Sequence, residues 1–70
     1  MNWPSIIRTL RERMFLNQKD FGALFGVTWM TVYRWERGIS SPHFSHRSRI
    51  IELCREKEVP IKQFILLRKD

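Results

Sequence analysis

Residues 17–38 read NQKDFGALFGVTWMTVYRWERG. Two short helical patterns flank a tight turn in this stretch. Asn17 suits the start of the first, because its side chain can accept a backbone N–H that a helix leaves open. Phe21, Leu24 and Phe25 give that helix an apolar side, and Ala23 is small enough to let a neighbour come close. Gly26 can take the left-handed conformation that stops a helix. Thr28 then caps a second pattern running to about Arg37, with Val32 and Trp35 inward at a spacing of three. Gly38 ends it. The outward face carries Thr28, Trp29, Met30, Tyr33, Arg34 and Arg37. A short helix that turns aromatic and cationic groups outward is suited to gripping a partner.

Charge points to the partner's sign. The chain has 70 residues, a net charge of +6 and a pI near 10.5. Residues 1–49 carry eight Lys/Arg against three acids, and residues 50–70 five against four. The basic excess therefore lies with the turn motif, and a polyanion such as DNA fits it. Seventy residues allow one domain. At 43% hydrophobic the chain can form one small core, worth roughly 3–5 kcal/mol net.

The rest of the chain reads as helix. Pro4 or Ser5 opens a first helix, since proline's missing N–H costs nothing in a first turn. Ile6, Ile7, Leu10 and Met14 form its buried stripe, with Arg8, Glu12 and Arg13 in water. Ile39 to Pro42 is a turn. A fourth helix begins between Pro42 and His46 and ends near Lys57, with Ile50, Leu53 and Cys54 inward and Ile51 at the edge. Pro60 opens a short fifth helix containing Ile61, Phe64, Ile65 and Leu67. No segment alternates apolar and polar residues as a strand does.

Several elements stand in order at consistent spacing. They are Leu10-Arg11, Leu16-Asn17-Gln18, Phe25-Gly26-Val27-Thr28, Thr31-Val32 and Arg34-Trp35-Glu36-Arg37-Gly38, then Pro42, Ile50-Ile51-Glu52-Leu53 and Val59. Through them the chain resembles the phage-repressor-like, or Cro/repressor (XRE), helix-turn-helix proteins over about residues 6–65. The resemblance implies an all-α, five-helix, lambda-repressor-like DNA-binding domain spanning 1–70. The helix-turn-helix core is 17–38, on helices 2 and 3, and 59–68 is a candidate dimerisation segment.

The same resemblance assigns roles. Trp29, Met30, Tyr33 and Arg34 fall where the family reads bases. Gln18, Thr28, Thr31, Arg37 and Ser40 fall where it grips the DNA backbone, Gln18 also bracing the reading helix. Arg11 and Glu36 match a partly buried ion pair between the first and third helices. That pairing removes an awkward feature, because a free Glu36 would repel phosphate. The chain departs from the family at Trp29 and Met30, where polar residues are usual. It also departs at 43–49, HFSHRSR, which is longer than the family pattern and adds Arg47 as a further backbone contact. Lys57 and Glu58 replace an apolar residue and a Gly.

Side-chain chemistry supports the assignments. The planar fork of Arg34 can hold guanine O6 and N7 together, worth ~1–3 kcal/mol of discrimination. Trp29 and Met30 suit thymine methyls or the sugar wall, and Tyr33 a phosphate or a base. Trp35 reads as core. His43 and His46 suit a surface near phosphates, and with Cys54 they fall short of the four ligands of a structural zinc site. No metal or cofactor is therefore expected. Cys54, the one cysteine, reads as inert packing and fits a reducing compartment. There is no apolar run of the roughly 18–20 residues that a membrane span needs. The N-terminus is charged too early for a secretory signal, so the expected location is the cytoplasm.

No Gly-rich phosphate loop or paired-carboxylate site is present, so an enzyme is not expected. The expected function is sequence-specific binding of double-stranded DNA by a small repressor, acting by promoter occlusion at an inverted-repeat operator. The final segment crowds Ile61, Phe64, Ile65, Leu66 and Leu67 into seven positions. That surplus implies a homodimer interface through Phe64, Ile65 and Leu67. The rival reading is an antitoxin-type module that neutralises a partner protein from an adjacent gene and co-represses its operon. RNA binding is a further rival, disfavoured because a rigid helix suits the B-form major groove better than the deep, narrow A-form one.

Overall fold

The computed structural model describes residues 2–61. Among them are four helices and no strand: α1 (Trp3–Arg13), α2 (Gln18–Ala23), α3 (Trp29–Glu36) and α4 (Phe44–Glu56). The all-α expectation holds. The expected fifth helix after Pro60, with Phe64, Ile65 and Leu67, lies outside the described residues.

Local chemistry sets the helix starts. Asn2 precedes α1, and its side chain accepts the Ser5 N–H at 3.3 Å. Pro4 falls in the first turn, so α1 begins slightly before the expected point. Asn17 caps α2 as expected, taking the Asp20 N–H at 2.7 Å. His43 precedes α4, and its Nδ1 accepts the Ser45 N–H at 3.2 Å.

The four helices end alike. In each, one N–H reaches back five residues and its predecessor reaches back three, satisfying carbonyls the helix would leave open. The longer bonds are Leu16 to Arg11, Val27 to Gly22, Ile39 to Arg34 and Val59 to Cys54, at 2.8–3.2 Å. The geometry needs a left-handed residue before the returning N–H. Gly26 (φ 68°) and Gly38 (φ 73°) supply it cheaply, but Phe15 and Glu58 supply it at φ 58°. Glu58 thus occupies a site that favours glycine.

One core joins the helices. Ile6, Ile7 and Leu10 of α1 meet Phe21, Phe25, Val32, Trp35, Ile50, Leu53, Cys54 and Val59, all buried. Trp3 completes the cluster. Burying each large apolar side chain contributes about 1.5–3 kcal/mol before chain entropy is counted. Met14, Leu16, Val27, Ile51 and Ile61 pack at its edge.

Two expectations for α2 are overturned. Leu24 is exposed, because α2 has ended and the chain is already turning there. Ala23 is exposed as well, and Gly22 makes the close approach. A Cβ on Gly22 would lie 2.6 Å from the Val27 carbonyl oxygen and 3.2 Å from both the Thr28 carbonyl oxygen and Val32 Cγ2. The bare backbone of Gly22 lets the turn and α3 lie directly on α2.

His46 is also not the surface group expected. It is half-buried, its ring 6.0 Å from that of Phe25 and 5.8 Å from that of Trp35. His43 stays exposed.

Candidate nucleic-acid interface

α3 is held along one side and open along the other. Val32, Trp35 and Glu36 are buried. Trp29, Met30, Tyr33 and Arg34 are exposed, at 49%, 41% and 37% for the first three. These are the residues assigned to base contact. A full helical turn separates Trp29 from Tyr33 and Tyr33 from Arg37, so the three form one row. Trp29 meets the Tyr33 ring edge-on at 6.4 Å, and the Arg37 guanidinium lies over Tyr33 at 5.7 Å. Aromatic and cation–π contacts of this kind order the row by fractions of a kcal/mol to about 1 kcal/mol each. Met30 and Arg34 form a second row beside it.

The brace is electrostatic. Arg11 Nε donates to Glu36 Oε2 at 2.6 Å and Arg11 Nη2 to Oε1 at 3.1 Å. Arg11 also donates through Nη1 to the Leu16 carbonyl at 3.1 Å. Gln18 Nε2 donates to Glu36 Oε1 at 3.3 Å. Glu36 therefore ties α1, α2 and α3 together from a fully buried position. The hydrogen bond to Glu36 raises Arg11 above its ordinary pKa, against the opposing pull of desolvation. Arg8, expected to face water alone, adds its Nε 3.6 Å from Glu36 Oε1. Its place three residues before Arg11 was the available signal, because that spacing shares a helix face.

The carboxylate withdrawn by this network is α3's sole acid. The outward face of α3 is consequently cationic and aromatic, with no negative group of its own. Arg34 and Arg37 are exposed, and the ion pairs among the described residues are those of Glu36 with Arg8 and Arg11.

The assigned backbone-contact residues divide. Thr28 stands at the α3 N-cap but makes no side-chain cap, correcting that expectation. Its hydroxyl lies 3.5 Å from that of the half-buried Thr31 instead. The first N–H groups of α3 are thereby left open. Gln18 is half-buried and has given one amide hydrogen to Glu36, which leaves its second amide hydrogen uncommitted among the described residues. Ser40 is exposed just past the α3 terminus. Arg47 is engaged within the fold. Its Nε donates to the Pro42 carbonyl at 2.8 Å and its guanidinium lies 5.4 Å from the Trp3 ring centre.

Cys54 is fully buried, and burial pushes its thiol up to about 11. Among the described residues no three His, Cys, Asp or Glu side chains are grouped to hold a metal ion, and no helix is long and apolar enough to cross a membrane. Compared with known proteins, the chain matches no family model, no curated protein and no solved structure.

Proposed function

We propose that the protein is a sequence-specific double-stranded DNA-binding regulator, a small repressor that occludes a promoter. In this reading α2 and α3 form the helix-turn-helix of a five-helix domain of Cro/repressor type, and α3 enters the major groove. One observation carries it: Trp29, Met30, Tyr33 and Arg34 stand exposed on a helix whose opposite side is locked by Val32, Trp35 and the Arg11–Glu36 pair. The major groove admits a single α-helix and displays a full code of donors and acceptors there. The open N–H groups at the start of α3 and the spare amide hydrogen of Gln18 suit phosphate. Arg34 reads bases, while Arg37, Thr31 and Ser40 grip the backbone.

The protein acts as a dimer through 59–68, so half-sites lie ~10–10.5 base pairs apart, centre to centre, in an inverted repeat. With about five phosphate contacts per subunit, the logarithm of affinity falls against the logarithm of salt with a slope near −9. Gel shifts of the full chain over a salt series, with duplex DNA and structured RNA as competitors, test this. A steep slope with preference for duplex supports it. A flat slope, or equal competition by RNA, overturns it.

One observation favours the protein-binding alternative beside it. Phe15 is 94% exposed and holds a left-handed backbone that costs an L-residue roughly 1–2 kcal/mol. An exposed phenyl kept at such cost suits a partner protein, as in an antitoxin that also binds its operon. Co-purification with the product of an adjacent gene, abolished by Phe15→Ala, is the expected sign. Binding that survives the substitution removes Phe15 from that role.

A further inference from the structure

We infer that α3 reads the keto bases, guanine and thymine, and disfavours adenine and cytosine on the strand it faces. The inference rests on the DNA-binding reading above and specifies its target. The four exposed side chains have an unbalanced hydrogen-bonding capacity. Arg34 has donors only, Trp29 one N–H donor, and Met30 a thioether that is at best a weak acceptor. Tyr33 alone among them has an oxygen, and its ring is held between Trp29 and Arg37. Glu36, the acid of α3, is buried and bound to Arg11 and Gln18. The Thr28 and Thr31 hydroxyls lie against each other.

The base edges are unbalanced in the complementary way. In the major groove guanine presents two acceptors, and thymine an acceptor beside a methyl group. Adenine and cytosine present amines that need an acceptor. Facing Arg34, Trp29 or Met30, an amine would lose its water and gain no strong acceptor. Each base pair has one keto and one amino partner, so the selection decides strand as well as composition. The favoured half-site runs G and T together on one strand, with guanine at Arg34 and thymine methyls at Trp29 and Met30.

The test starts from duplexes selected out of a random pool by the full chain. In the selected site each guanine is exchanged for 7-deazaguanine, each thymine for uracil and each adenine for purine, which lacks the amine. Binding is expected to weaken about five- to tenfold at a contacted 7-deazaguanine or uracil, and to stay within about twofold at every purine. Met30→Gln, an exposed substitution that supplies an acceptor, is expected to bring adenine into the selected site. Loss at purine equal to that at 7-deazaguanine overturns the inference while leaving DNA binding intact. If no duplex is enriched, the regulator reading itself fails and the inference with it.

Discussion

Arg11 and Glu36, 25 residues apart in sequence, meet through two hydrogen bonds, and the Glu36 carboxylate has no solvent exposure. Stranding one member of such a pair costs ~3–5 kcal/mol, against a core that yields about as much in total. Glu36→Ala is therefore expected to lower the melting temperature by more than about 15 °C or to abolish a cooperative transition. Thermal denaturation followed by circular dichroism measures it. A melt within a few degrees of wild type would mean the pair holds nothing together.

Gly22→Ala is expected to damage the turn. The new methyl would press on the Val27 carbonyl, which is backbone and cannot swing aside. Overpacking of this kind costs ~1–3 kcal/mol. The strain falls where α3 leaves α2, so under the proposed function DNA affinity should fall further than stability alone explains. Measuring both on one sample decides it: unchanged affinity in a folded variant would show that α3 keeps its direction without a bare residue at 22.

Phe15→Gly and Glu58→Gly should each stabilise the domain. Both positions hold φ 58°. Relief of ~1–2 kcal/mol of left-handed strain exceeds the ~0.5–1 kcal/mol of extra chain freedom that glycine adds to the unfolded state. Phe15 gives up almost no buried area in the exchange, being 94% exposed. A rise of a few degrees in melting temperature is expected for each. A fall for either would mean that its side chain makes a stabilising contact.

Stability should decline in alkali through Cys54. Its folded pKa is raised from 9.0 to about 11 by burial. The thiol stays protonated longer in the folded state, so its contribution is complete below pH 9 and lost as pH rises toward 11. The full loss is about 2–3 kcal/mol. Urea titrations at pH 8 and 10.5 measure it. Cys54→Ala should be less stable throughout but show a shallower decline, and an equal decline would place the effect on other groups.

The α3 face was legible from the sequence because its evidence is local. Val32 and Trp35 share one side of a short helix bounded by Gly26 and Gly38, so the remaining side chains must face outward. No local pattern joins Arg11 to Glu36 across so many residues, and only the family resemblance pairs them. What escaped was mainly tertiary. Trp3 stands before a proline at the chain's start, where periodicity has nothing to count. Gly22 reads as a weak helix residue until the 2.6 Å approach to Val27 gives it a purpose. Leu24 follows the α2 stripe, yet the helix stops too early to bury it. Phe15 and Glu58 adopt a backbone that their residue types argue against.

The three tryptophans divide the molecule optically. Trp3 and Trp35 are 8% and 3% exposed, whereas Trp29 is 49% exposed on the outward row of α3. Their combined fluorescence therefore holds two separable signals. A soluble quencher such as acrylamide should extinguish the Trp29 emission first and leave the two enclosed indoles bright. A ligand that covers α3 would shield that accessible fraction, and unfolding would expose all three. Recognition and folding can thus be followed in the same cuvette without attaching any dye.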